Sequence, residues 1–142
     1  MSIIDERARR TQQPPVHSAR REALDASIER ELRRGEAARA NVRPRYWDVL
    51  STLVERELQQ PEPTTEEALF AATPIFGMLR GPRFRRRLEW LIHAGLVRRE
   101  RKWIRPTVAG VAAVRPFSAL PRSQRPSQDL LRALRRAEIG TI

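Results

Sequence analysis

The chain has no cysteine, which excludes a disulfide framework, a zinc finger and a thiol nucleophile. Histidine is almost as scarce. His17 and His93 are the only two, and neither belongs to a recognisable nucleophile, metal or phosphate-loop motif. Carboxylates offer no catalytic pair either: Glu66 and Glu67 are adjacent, and helical neighbours face one another only three or four residues apart. No catalytic residue, metal ligand or cofactor is therefore expected. Long apolar runs are also missing, since nothing approaches the ~20 residues of a membrane-spanning helix, and MSIIDERARR has no apolar signal core. No membrane partner is expected, and the chain reads as cytoplasmic. Binding to an anionic membrane surface would need a helix with a lysine-rich face beside a broad aromatic or leucine face, and lysine occurs once, at Lys102. Exposed aromatic pairs that would stack single-stranded RNA are absent.

Arginine fills the space these absences leave. The 28 basic residues against 17 acidic ones give a net charge of +11, and every basic residue except Lys102 is arginine. The planar guanidinium suits phosphates and guanine edges; a GC-rich genome would also enrich it, but would not decide where it sits. Between residues 80 and 105, ten basic residues (Arg80, Arg83, Arg85, Arg86, Arg87, Arg98, Arg99, Arg101, Lys102 and Arg105) face only Glu89 and Glu100, a net of +8. Residues 44–79 hold two basic residues against six acidic ones, a net of −4. Charge polarised in this way is the footprint of a surface that meets nucleic-acid phosphates.

The basic stretch lies within residues 79–107, which read as a helix, a two-strand hairpin and the start of another helix. Pro82 fits a first helical turn. Phe84, Leu88, Leu91, Ile92 and Gly95 then recur at helical spacing on one face, leaving Arg83, Arg86, Glu89, Trp90 and His93 on the other. Gly95 is placed for a left-handed C-terminal cap. A strand starts at Leu96 and Val97, turns within residues 99–102, and returns through Trp103, Ile104 and Arg105 until Pro106 stops the pairing. Thr107 caps a short helix, Val108–Val114.

The run WLIHAGLVRRERKWIRPTVAGVAAV resembles the end of the winged helix-turn-helix domain in bacterial transcriptional regulators of the multiple-antibiotic-resistance and PadR types. There a recognition helix ends in a phrase like LEEAGLV, a basic wing follows, and LTPAG opens the next helix. Leu91, Ala94, Gly95, Leu96 and Val97 match the first phrase; Pro106, Thr107, Ala109 and Gly110 match the second with proline and threonine exchanged. The resemblance covers about half the chain. It implies a mainly α fold with a small β-hairpin: a winged helix-turn-helix core, residues 44–115, with N- and C-terminal helical extensions.

Before that core, residues 1–17 read as an arm, whose Arg7, Arg9 and Arg10 either remain solvated or touch a minor groove. Residues 18–43 form a helical extension with Leu24, Ile28 and Leu32 at i, i+4, i+8 spacing, and with Arg21 and Asp25, then Glu29 and Arg33, as i, i+4 pairs. So thin an apolar stripe must dock on the domain or on a second copy, or leave the helix partly frayed. Gly35 weakens this helix by ~1 kcal/mol relative to alanine. Pro44 opens the first core helix with Tyr46, Trp47, Leu50, Leu53, Val54 and Leu58 inward, and Asp48, Glu55, Arg56 and Glu57 outward. Pro61 and Pro63 end it, Thr64 or Thr65 restarts the chain, and Glu66–Ala72 is a short second helix. The connection TPIFGMLR is longer than a strict helix-turn-helix allows, with Ile75, Phe76, Met78 and Leu79 expected in the core. Residues 116–142 are a proline-rich linker and a last helix, Gln128–Glu138, with Leu130, Leu131 and Leu134 on one side and Arg132, Arg135 and Arg136 on the other.

The expected function is double-stranded DNA binding by a nucleoid-associated transcriptional regulator. Arg83 and Arg86 would read base edges, Arg80, Arg85 and Arg87 hold phosphates, and Arg99, Arg101 and Lys102 reach the minor groove from the hairpin tip. Trp103 would pack the hairpin onto the domain. Partners are DNA and either a second copy held through the terminal helices or another protein. The rival reading is a winged-helix interaction subunit of a larger nucleic-acid-associated complex, whose terminal stripes would be buried on a partner.

Overall fold

Pro44, Thr65, Thr107 and Ser127 each start a helix by a local signal that needs no tertiary context. Pro44 stands in the first turn, where its missing N–H costs nothing. The hydroxyls of Thr65, Thr107 and Ser127 accept from the backbone N–H of Ala68, Gly110 and Leu130 at 3.2, 3.0 and 3.2 Å, satisfying donors the helix itself leaves free. These signals order a computed structural model that describes residues 16–73 and 81–140, with side chains from Ser18 onward. Its elements are α1 (Val16–Ala38), α2 (Pro44–Gln59), β1 (Thr64–Thr65), α3 (Glu66–Ala72), α4 (Gly81–His93), β2 (Val97–Glu100), β3 (Trp103–Pro106), α5 (Val108–Val114) and α6 (Gln128–Glu138). The chain is mainly helical with a small antiparallel sheet. The arm arginines, the core insertion expected of Ile75, Phe76, Met78 and Leu79, and the role expected of Arg80 lie outside the described residues.

The sheet has three strands in the order β1-β3-β2, not two. β2 and β3 pair through Arg99 opposite Ile104 and Glu100 opposite Trp103, and Thr64 and Thr65 add an outer strand opposite Ile104 and Trp103. Pro106 does not end the pairing early but closes β3 opposite Val97. At that last position a missing ladder donor is tolerated. Gly95 takes φ +78°, and Leu96 N–H donates to Leu91 O at 3.0 Å, which is the expected left-handed cap of α4.

The core gathers around α5, in which every residue from Val108 to Ala113 is buried. Leu50, Leu53 and Val54 of α2, Leu69 of α3, Phe84, Leu88 and Leu91 of α4, and Ile104 of β3 join it. So do Ile28 and Leu32 of α1 and Leu131 and Leu134 of α6. Both terminal helices therefore turn their apolar stripes into the chain's own core. Asp25 accepts from Arg132 of α6 at 2.9 Å through both oxygens; this hydrogen bonding, with a smaller contribution from the charge of Arg21 one turn back, holds its carboxyl below the usual range. Arg135 donates to Ser27 at 2.6 Å and lies 3.1 Å from Glu138. Thus Arg132 and Arg135, expected to face outward, fasten α6 to α1. The proline-rich stretch is likewise no free linker: it forms two short 3-10 turns, and is tied down by Arg115 on Glu55 at 2.8 Å and by Ser118 N–H on Glu36 at 3.0 Å.

Glu138 accepts from the Val108 N–H at 2.8 Å at the start of α5. Burial pushes its carboxyl above the ordinary value, outweighing the hydrogen bonds from Val108 and Arg135 that favour the charged form. A raised carboxyl favours folding when protonated, so its contribution is complete below the ordinary glutamate value and is lost as pH rises through the raised one. Glu138→Gln keeps an acceptor for Val108 without the charge. Urea unfolding of both proteins is expected to show the variant gaining on the parent as pH rises above the ordinary glutamate value; a parent that gains on the variant as pH rises would contradict the burial argument.

Candidate nucleic-acid interface

Helix α4 buries Phe84, Leu88 and Leu91, so its spacing turns Arg83, Arg86 and His93 to solvent, and all three are exposed. His93 Nδ1 lies 2.8 Å from the Glu89 carbonyl oxygen, one turn back on the same helix. Trp90, expected on this outer face, is instead half-buried with its ring centroid 5.2 Å from that of Tyr46. The start of α2 covers the flank of α4 on which Trp90 sits.

The two flanks of α4 differ in charge compensation. Toward α3 and the hairpin, Arg85 Nε lies 3.6 Å and Arg99 Nη2 3.7 Å from Glu66 Oε1, and Arg99 also bonds Glu89. Glu66 Oε1 is buried without a hydrogen bond among the described residues, so these two guanidiniums are its compensation. Arg98 meets Glu100 at 3.0 Å, and Arg105 meets Glu57 at 2.6 Å. Glu66 and Glu89 are therefore not simple solvated charges, and Glu57, expected on an outward position, is 2% exposed. Four of the cations in the basic stretch are neutralised where they stand.

Five are not. Among the described residues, Arg83, Arg86, Arg87, Arg101 and Lys102 have no carboxylate within 4.0 Å. Arg101 and Lys102 form the two-residue hairpin turn, with Arg101 at φ +57°. Glycine adopts that conformation without strain, so a side chain here is held at a cost. Lys102 Nζ stands 5.0 Å over the Trp103 ring. Trp103 does not pack the hairpin down as expected; it is 41% exposed and serves Lys102 as a cation–π platform.

On its other flank α4 meets the start of α2. Arg43, Pro44, Arg45 and Tyr46 from one side and Arg83, Arg86 and Arg87 from the other line an open groove of about 560 Å³, and no acidic residue lines it. Arg87 Nη1 donates to the Arg45 carbonyl oxygen at 3.2 Å, and the Arg43 guanidinium lies 5.9 Å from the Tyr46 ring centroid. Sequence reasoning placed Arg83, Arg86 and Arg87 together but missed Arg43 and Arg45. They sit some forty positions upstream, beside and within a segment of net negative charge, and no periodicity links the two helices.

Among the described residues, no group of three or more histidine or carboxylate side chains is arranged to hold a metal ion, and no helix is long and apolar enough to cross a membrane. No protein-family model, curated protein or solved structure matches the chain.

Proposed function

We propose that this chain is a double-stranded DNA-binding transcriptional regulator whose winged-helix module runs from α2 to β3. The order helix, strand, helix, helix, strand, strand, with β3 between β1 and β2, supports that reading. The observation that carries it is the selective compensation of charge: cations that brace α3, α4 and the sheet are paired, while those on the outer face of α4 and at the hairpin tip are not. Under this reading Arg83 and Arg86 enter the major groove, Arg87 meets the backbone, and Arg101 and Lys102 reach the adjacent minor groove or its phosphates. Arg85 and Arg99 act mainly by fixing the hairpin against α4. The rival interaction-subunit reading is disfavoured because the stripes a partner would cover, Ile28 with Leu32 and Leu131 with Leu134, are covered by the chain itself. A homodimer would then assemble through the polar faces of α1 and α6, with Ile139, 55% exposed, as its apolar contact.

Fluorescence anisotropy with a duplex from upstream of the protein's own coding sequence and a scrambled duplex, each titrated from ~50 to 200 mM salt, tests this. Several phosphate contacts should weaken binding by orders of magnitude across that range. Arg86→Ala is expected to cost about 1–3 kcal/mol on the preferred duplex and less on the scrambled one. Equal losses on both would make Arg86 a phosphate contact, and no binding to either duplex at ~50 mM salt would sink the DNA reading.

A further inference from the structure

Resting on the DNA reading, we infer that the groove between α2 and α4 is an oligophosphate-binding site: in the DNA-bound protein Arg43, Arg45 and Arg87 hold successive backbone phosphates of one strand, while Arg83 and Arg86 extend from it to the base edges. Its five guanidiniums come from two helices that only the fold brings together. Arginine cannot relieve mutual repulsion by losing its proton at any physiological pH, so a like-charged cluster destabilises the fold until an anion joins it. Where arginines brace one element against another, the chain supplies that anion itself: Arg85, Arg98, Arg99, Arg105, Arg115, Arg132 and Arg135 all have carboxylates within 4.0 Å. The groove has none, among the described residues.

Its shape and walls suit phosphate oxygens. A concave surface with the Tyr46 ring and Pro44 in its wall excludes water on one side and concentrates the field of the cations around it. Arg87 is oriented by its bond to the Arg45 carbonyl oxygen, which settles the relative position of the two helices. The guanidinium forks then offer paired N–H donors to non-bridging oxygens. Contacts of this kind position a protein on DNA without reading sequence, which separates the task of Arg43 and Arg45 from that of Arg86. The same chemistry would accept a free inorganic or nucleoside oligophosphate.

The test uses the full chain, the double variant Arg43→Ala/Arg45→Ala and, as a charge-matched control, Arg56→Ala/Arg122→Ala, both exposed and outside the groove and the terminal helices. Arg43 makes no side-chain cap and Arg43 and Arg45 are both exposed, so the double variant, relieved of two repelling charges, is expected to unfold no lower than the parent. Losing two phosphate contacts should lower the slope of log affinity against log salt by about 2, on upstream and scrambled duplexes alike, while the control keeps the parent slope. Inorganic triphosphate should shift the backbone amide resonances of residues 43, 45–47 and 83–87 in the parent and not in the double variant. If the parent binds duplex and the double variant keeps its slope and affinity, the groove inference falls while the DNA reading stands. A control that loses as much as the double variant also overturns it, as does triphosphate shifting resonances across the whole surface. Triphosphate at the groove without duplex binding would sustain the site with a free oligophosphate as occupant and remove the DNA reading.

Discussion

Arg105→Ala is expected to cost about 3–5 kcal/mol of folding stability, the range for stranding a buried charge by deleting its partner. Arg105 Nε meets Glu57 Oε1 at 2.6 Å and Nη2 meets Oε2 at 3.3 Å. The two side chains are unequal: Glu57 is 1% exposed and Arg105 23%. Without the arginine, the carboxylate is left buried with no other ion pair among the described residues. Without the carboxylate, Arg105 can still turn toward water, so Glu57→Leu should cost clearly less. Glu57→Leu/Arg105→Met should return close to the parent, because a buried pair replaced by apolar groups of similar size is often neutral. With Arg105→Met added as the matching single variant, denaturant unfolding closes the cycle and gives the coupling. Equal, additive losses from the two single variants would show that the pair is not buried as described.

Arg105 also shows where sequence reading and structure part. Counted along the chain it adds to the +8 of residues 80–105; in space it is consumed by Glu57, from a helix whose sequence gave no sign of facing it. Elements announced by their own residues were legible: Thr65 with Glu66 and Glu67 marked α3, Gly95 marked the end of α4, and Thr107 marked α5. β1 was not, because two threonines have no periodicity and become a strand only when β3 lies beside them. Nor was the fastening of α6 to α1, since Asp25 and Arg132 are more than a hundred residues apart and each had a plausible role nearer home.

The candidate site divides along the same line. Arg83 and Arg86 followed from helical spacing, which fixes the face opposite Phe84, Leu88 and Leu91. That Arg85 and Arg99 are neutralised while Arg101 and Lys102 are not depends on where Glu66 and Glu89 come to lie, and only packing decides that. The groove required the further knowledge that α2 starts beside the middle of α4. One signal was available: Arg43 and Arg45 flank Pro44 at a helix start whose first turn holds no acidic residue.

Gly35 carries the other large expectation, and there propensity and packing disagree in sign. On an exposed helix, Gly35→Ala would stabilise by about 1 kcal/mol, because glycine loses the most backbone freedom on folding. Gly35 is not exposed. Helix α1 crosses α5 with the two backbones in contact at this point, and a Cβ on Gly35 would fall 2.7 Å from the Ala109 carbonyl carbon and closer still to its oxygen. Backbone cannot move aside as the tip of a side chain can, least of all in α5, where Gly110 is pressed as closely against the Leu96 carbonyl on its other side. Overpacking of this kind costs about 1–3 kcal/mol, occasionally more, and both the backbone obstacle and the loss of glycine's fit place Gly35→Val at about 3 kcal/mol or beyond. For a chain of this length that lowers Tm by about 10 °C. Displacing α1 would also pull Asp25 and Ser27 away from Arg132 and Arg135, so α6 should loosen with it and the amides of both helices should exchange faster than those of α4. A Gly35→Ala protein that melts above the parent would mean that α1 does not rest on α5, and the terminal helices would again be free to bury their stripes on another chain.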